Sequence, residues 1–173
     1  PYLLKTASDV EALRDKVNTE GFSFENTYFQ LTEDITLPTG WKPIGVTKDG
    51  RKDLKNGENL NAFSGIFDGN NHTVTVPEGG LPLFGYVRNT RIRNLNIYGK
   101  KIAGYGLVNN FEGVGLSGMA VEIDNVTLKS GSSTLKSGLL GANKTMSPYA
   151  GCSSAFEATV RNCTIEKDVV IGY

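Results

Sequence analysis

The sequence predicts an all-β chain: a right-handed parallel β-helix with a short capping α-helix at its N-terminus. Three observations carry this. Glycine is in excess, with 21 in 173 residues against a usual share of about 7%. Serine, threonine and asparagine are also abundant and long helix-forming runs are scarce, which suits many short strands joined by many turns. After Gly21 apolar residues alternate with a period of two, the spacing of half-buried strands. From Phe63 onward a two-part unit recurs, which is how stacked-repeat folds read.

The chain reads as one domain, with residues 1–21 as the capping region and 22–173 as the coils. Ser8 followed by Glu11 reads as a capping box, in which each side chain satisfies a free backbone N–H of the other. Val10, Leu13 and Val17 follow at helical spacing, and Gly21 suits the stop. A helix with one apolar stripe is the expected lid for the open end of a stack of coils.

Beyond it, Phe29 and Leu31, then Ile35 and Leu37, alternate as strands do. Val46 to Ala62 carries charges of both signs with glycine and asparagine, and reads as an exposed loop. From Phe63 the order is strand, Asp68-Gly69 turn, strand. The first part of the recurring unit is Leu83-Phe84-Gly85, Leu107-Val108-Asn109 and Leu139-Leu140-Gly141, 24 and 32 residues apart. The second is Ile92-Arg-Asn-Leu-Asn-Ile97, Ile123-Asp-Asn-Val-Thr-Leu128 and Val160-Arg-Asn-Cys-Thr-Ile165, 31 and 37 apart. Inserts at Glu112 to Ala120 and Ala142 to Ala158 account for the uneven spacing.

In each six-residue run the first, fourth and sixth positions are apolar (Cys163 counting as a small apolar side chain) and the third is asparagine: Asn94, Asn125 and Asn162. Strict alternation fails between the first and fourth, so the chain must bend there, and asparagine tolerates unusual backbone angles. The expectation is an inward ladder of amides bonded coil to coil. Asn71, Asn125, Asn143 and Asn162 each begin an Asn-x-Thr glycosylation pattern. Two of these coincide with the ladder, where a sugar would not fit, so the matches read as by-products of the strand code.

Lys plus Arg and Asp plus Glu number 18 each, which argues against nucleic acid as a partner. No apolar run approaches the about 20 residues that span a bilayer. The chain begins at Pro1 without Met, and any signal sequence is read as removed or left out. The open strand at Asp168 to Tyr173 leads to the expectation that the natural protein continues. Cys152 and Cys163 fit no metal motif; they read as two free thiols, at least one buried, or as a disulfide between neighbouring coils.

The search for chemistry yields little. His72 is the one histidine and reads as a solvated turn residue, so neither a nucleophile–His pair nor a zinc site is expected. Asp34 and Asp68 are the candidate catalytic carboxylates, because adjacent coils at about 4.8 Å spacing could bring them within the about 5–10 Å a glycosidase pair needs. Both also fit turn roles. Calcium at turn aspartates or asparagines is the one cofactor considered, without EF-hand spacing to support it. Trp41, Tyr86, Tyr98, Tyr105 and Tyr149 are candidate stacking platforms for sugar rings or peptide, with Trp41 also reading as a core residue. Lys48 to Glu58 reads as a contact loop or a solvated one. Gly85, Gly99 and Gly104 lack the context of a phosphate loop.

Taken in order, the helix cap, Asp34-Ile-Thr-Leu37, Trp41-Lys-Pro-Ile-Gly45, Phe63-Ser-Gly-Ile-Phe-Asp-Gly69, Leu-Phe-Gly and Ile-x-Asn-Leu-x-Ile resemble bacterial surface proteins with GLUG-type repeats. The same pattern occurs beside the peptidase domain of IgA-specific zinc metallopeptidases. The resemblance spans Ala7 to Ile165. One repeat departs from it, reading Gly106-Leu-Val-Asn109 where Gly-Leu-Val-Gly belongs. The resemblance implies a secreted or wall-attached location, a right-handed β-helix, and use as a stalk or adhesive surface. The function expected is therefore a monomeric, non-catalytic module contacting an extracellular glycan or glycoprotein. The rivals are a polysaccharide lyase or hydrolase acting on the solenoid face, and an accessory region of a large surface metallopeptidase.

Overall fold

The computed structural model describes residues 1–47, 60–112, 121–143 and 158–173. The chain opens with strand β1 (Tyr2–Leu4), then helix α1 (Ala7–Asn18), then β2 (Tyr28–Leu31), β3 (Ile35–Thr36) and β4 (Val46–Thr47). There follow β5 (Leu60–Asn61), β6 (Ile66–Asp68), β7 (Thr73–Thr75), β8 (Phe84–Arg88), β9 (Arg91–Tyr98) and β10 (Val108–Glu112). The last are β11 (Val121–Leu128), β12 (Ser133–Thr134), β13 (Leu140–Asn143), β14 (Ala158–Arg161), β15 (Thr164–Ile165) and β16 (Val170–Ile171). The chain is thus all-β with one N-terminal helix. Among the described strands β4 and β5 pair antiparallel and the others pair parallel.

The largest sheet runs β1-β2-β6-β9-β11-β14, with β3, β7 and β15 continuing it along one side; β8-β10-β13 form a second sheet and β12-β16 a third. Later segments of the chain lay strands beside earlier ones, β2, β6, β9, β11 and β14 following β1 in the first sheet and β10 and β13 following β8 in the second; each such segment is termed a pass, and the two-part unit is one of them. Phe84, Val108 and Leu140 stand in register on one sheet, and Ile92, Ile123 and Val160 on another. Apolar side chains therefore stack in columns. Phe29, Phe67, Ile92 and Ile123 form one buried column, and Val74, Ile97 and Leu128 another. Each such side chain contributes about 1.5–3 kcal/mol by leaving water. Phe84 anchors the interior, its ring 5.5 Å from that of Phe63 and 5.4 Å from that of Phe67.

Helix α1 closes one end of this core with Val10, Leu13 and Val17. Its N-cap is Thr6 and its capping box runs from Thr6 to Asp9, not from Ser8 to Glu11. Thr6 has the extended backbone an N-cap needs, whereas Ser8 lies inside the first turn. At the other end of α1, Asn18 ties the helix to the next pass, donating to the Pro43 carbonyl at 2.9 Å and accepting from Gly45 N–H at 2.8 Å. Gly45 has φ +84° and a Cβ there would strike the Tyr86 carbonyl, so the Trp41-to-Gly45 string ends where two passes touch backbone to backbone.

The bends in the six-residue runs are left-handed: φ is 52° at Asn94 and 54° at Asn125 and Asn162. This is why alternation fails there. The expected inward ladder is corrected. Asn94 is half-buried and Asn125 and Asn162 are exposed, because the left-handed bend turns the side chain out of the core. Asn125 Nδ2 does donate to Asn94 Oδ1 at 3.0 Å. Asn162, however, donates to Asp124 Oδ1 at 2.8 Å instead of to Asn125. Burial is therefore not what would keep a sugar off Asn125 or Asn162.

If the backbone angle is what Asn125 is for, Asn125→Ala will cost about 1–2 kcal/mol from left-handed strain, while Asn125→Gly stays within about 0.5 kcal/mol of the parent. Urea denaturation of the two variants checks this. Equal losses would instead assign the effect to the amide bond.

Candidate functional site

Asp68 is the most heavily engaged of the candidate residues. It closes β6, is 5% exposed, and lies in register with Gln30 of the pass before and Arg93 of the pass after. Its Oδ2 accepts from Tyr28 Oη at 2.7 Å and from Arg93 Nε at 2.9 Å. Its Oδ1 accepts from Asn70 N–H at 2.8 Å and from Asn94 Nδ2 at 3.1 Å. A carboxylate has about four acceptor sites, and here four donors meet it. Arg93 closes the cluster by stacking its guanidinium 5.4 Å above the Tyr28 ring. Burial pushes the Asp68 carboxyl up, but the bonds from Tyr28, Asn70, Asn94 and Arg93 together outweigh it and hold the group below the ordinary aspartate value.

Asp34 precedes β3 and is exposed. It accepts from Thr73 N–H at 2.8 Å and faces His72 Nδ1 at 3.3 Å. The Thr73 bond, above all, lowers its pKa. His72 is thus partnered by Asp34 at the turn into β7. Both candidate carboxylates are pushed down, opposite to what the general acid of a glycosidase needs; both oxygens of Asp68 and the Oδ1 of Asp34 accept structural hydrogen bonds.

Two of the four described aromatic candidates, Trp41 and Tyr86, are buried. Trp41 is 3% exposed with its Nε1 donating to the Pro82 carbonyl at 3.1 Å, beneath the Arg14 guanidinium. Tyr86 is 1% exposed. Neither can stack on a ligand, because both complete the core between the first passes. Tyr98 and Tyr105 are half-buried, and Lys136 Nζ sits 5.5 Å over the Tyr105 ring. Tyr149, Cys152, most of the Val46-to-Ala62 loop and most of both inserts lie outside the described residues. Cys163 is a half-buried free thiol, its Sγ 3.2 Å from the Arg161 carbonyl. Among the described residues no cluster of three or more His, Cys, Asp or Glu could hold a metal ion, and no helix is long and apolar enough to cross a membrane.

Sequence reasoning missed a stripe of alternating charge. Asp68, Arg93, Asp124 and Arg161 stand in register on four successive strands. Asp68–Arg93 close at 2.9 Å and Asp124–Arg161 at 3.1 Å. Beside them Arg91 and Glu122 pair at 2.8 Å. The signal was in the six-residue runs, whose second position reads Arg93, Asp124, Arg161. Opposite charges facing each other across strands favour this register and disfavour slips that would oppose like charges. Also missed was a shallow groove of about 390 Å³ between β1, α1 and the Phe22-to-Phe24 segment.

No family model, no curated protein and no solved structure matches this chain.

Asp68→Ala will leave Tyr28, Asn94 and Arg93 without their acceptor and cost about 3 kcal/mol in urea unfolding at neutral pH. Because the folded pKa lies below the unfolded one, the stabilisation from Asp68 is full above about pH 5 and is lost as pH falls through the acid range. The variant will therefore lose less stability on acidification than the parent, and a series of urea midpoints between neutral and acid pH checks the slope.

Proposed function

We propose that the stacked passes form a right-handed parallel β-helix and that the chain serves as a non-catalytic, secreted or cell-surface module, an adhesin-like stalk that contacts extracellular glycans or glycoproteins. The handedness follows from the near-universal right hand of parallel crossovers. The surface location rests on the resemblance to proteins with GLUG-type repeats.

What supports the non-catalytic part is the use of the carboxylates that lie between passes. Asp68, Asp124 and Glu166 each bond across to an adjacent pass: Asp68 to Arg93, Asp124 to Arg161, and Glu166 to Lys129 at 2.7 Å. They bind the stack to itself and are not gathered around an open cleft. A stalk needs this kind of surface, because each pass must hold its neighbours without a second core.

The test is a panel of immobilised glycans and glycoproteins, run with and without calcium and scored for both retention and cleavage. The reading expects retention with every glycan left intact, and Asp34→Asn and Asp68→Asn unchanged in retention. Cleavage that either substitution abolishes would replace it with the lyase or hydrolase reading.

A further inference from the structure

The outer face of the largest sheet carries its charges at two depths. We propose that Arg91, Arg93 and Arg161 on this face bind an acidic glycan through the carboxylate or sulfate groups of the polymer. The proposal rests on the glycan-contacting reading above and names the face and the class of glycan.

Register and side-chain length set the two depths. Arg93, Asp124 and Arg161 stand side by side on β9, β11 and β14, and Arg91 stands beside Glu122 on β9 and β11. An arginine side chain is longer than that of aspartate or glutamate, so in a shared register its charge stands further from the sheet. The side chains of Arg91, Arg93 and Arg161 are 61%, 44% and 56% exposed, against 33%, 7% and 30% for their partners Glu122, Asp68 and Asp124. A ligand arriving from solvent therefore meets the guanidinium groups before the carboxylates. Arg91 and Arg93 are flanked on both sides by strands, β6 and β11, so their exposure is that of an outer face and not of an edge.

Each guanidinium is held on one side. The Nε atoms of Arg91, Arg93 and Arg161 face their partner carboxylates at 2.8, 2.9 and 3.1 Å. Arg93 also donates through Nη2 to Tyr28 Oη at 3.2 Å. The terminal nitrogens of Arg91 and Arg161 make no hydrogen bond or ion pair with another described residue. Those nitrogens are the ones that pair with a planar oxyanion, and fixing Nε beforehand lowers the cost of ordering the side chain on binding. Arg91 and Arg93 are two residues apart along β9, about 6.6 Å, and Arg93 and Arg161 are two strands apart, about 9.6 Å. A polymer with repeated acidic groups can meet several of them at once.

The surroundings select the occupant. Single-stranded nucleic acid needs open aromatic faces for its bases, and the Tyr28 ring already lies under the Arg93 guanidinium. The three arginines are matched by three carboxylates, so the face lacks the basic excess that a duplex needs. An acidic protein would need apolar anchors at the centre of its interface, and Ile66, in register with Arg91, is half-buried. An acidic glycan needs neither.

The experiment measures binding of the full chain to immobilised oligogalacturonate, to a sulfated glycosaminoglycan and to neutral dextran, at low and physiological salt. The parent is compared with Arg91→Gln/Arg161→Gln and with Lys16→Gln/Lys101→Gln. The lysine variant removes the same charge from α1 and from the turn after β9, away from the face. Both break only ion pairs at the surface, so both should keep the parental melting temperature. The expected result is binding of at least one acidic glycan in preference to dextran, weakened by salt. It falls at least about tenfold in the arginine variant and is unchanged in the lysine variant. The glycan that binds tells whether carboxylate or sulfate is the group recognised. Equal losses in the two variants would assign the effect to net charge and overturn the proposal. So would equally tight binding of duplex DNA or polyglutamate by the parent. Retention of dextran alone, or acidic-glycan binding that the arginine variant keeps, would overturn the proposal and leave the glycan reading standing. Retention of no glycan here or on the wider panel would remove both.

Discussion

In-register stacking of parallel strands is the constraint on which the rest of the structure depends. A strand's side chains alternate between faces, so a slip of one residue would move a whole apolar set into water. Here the apolar columns, the left-handed asparagines and the charge stripe share one register. Ile92 sits on Ile123, Arg93 on Asp124, and Asn94 bonds to Asn125. The interior supplies most of the stability, and the outward polar contacts contribute specificity, since exposed ion pairs are worth only about 0–1 kcal/mol each. Asp68 stands apart, because its carboxylate is buried and four donors from three passes converge on it.

The same register explains where apolar surface remains. Val160 and Ile165 stack on the buried Ile123 and Leu128, yet are 48% and 44% exposed. They continue the core columns onto the last described pass, with no described strand beyond to cover them. At the opposite end α1 covers the core with Val10, Leu13 and Val17.

Much of the fold could be read from the sequence because the repeat is carried by residues with strong local preferences. The apolar positions one, four and six and the bend asparagine aligned three passes correctly. The same runs misled in one respect. Asparagine in a strand-like run reads as a buried amide, but its positive φ swings the side chain outward, and backbone handedness is not visible in an apolar pattern. The helix cap slipped by two residues because Thr6-x-x-Asp9 uses an aspartate where glutamate is the usual signal. Trp41 could be read as a core residue from its Trp-Lys-Pro-Ile-Gly string, and it is buried. Tyr86 was judged by residue type, and only the close approach of Gly45 to its backbone reveals that it lies between packed passes. The groove was illegible because it joins residues of β1, α1 and the Phe22-to-Phe24 segment that share no periodicity.

The most direct test of the register is to see which carbonyl each outer amide donates to, through NMR scalar couplings across the hydrogen bonds. The structure predicts couplings from Glu122 N–H to the Thr90 carbonyl, from Lys129 N–H to Ile97 and from Glu166 N–H to Leu128, bonds of 2.8, 2.8 and 3.0 Å. Finding all three would establish three consecutive passes in the described register. Couplings from these amides to carbonyls one or more residues away, or to partners within their own pass, would contradict the stacking and with it the account of Asp68, the asparagine bends and the groove.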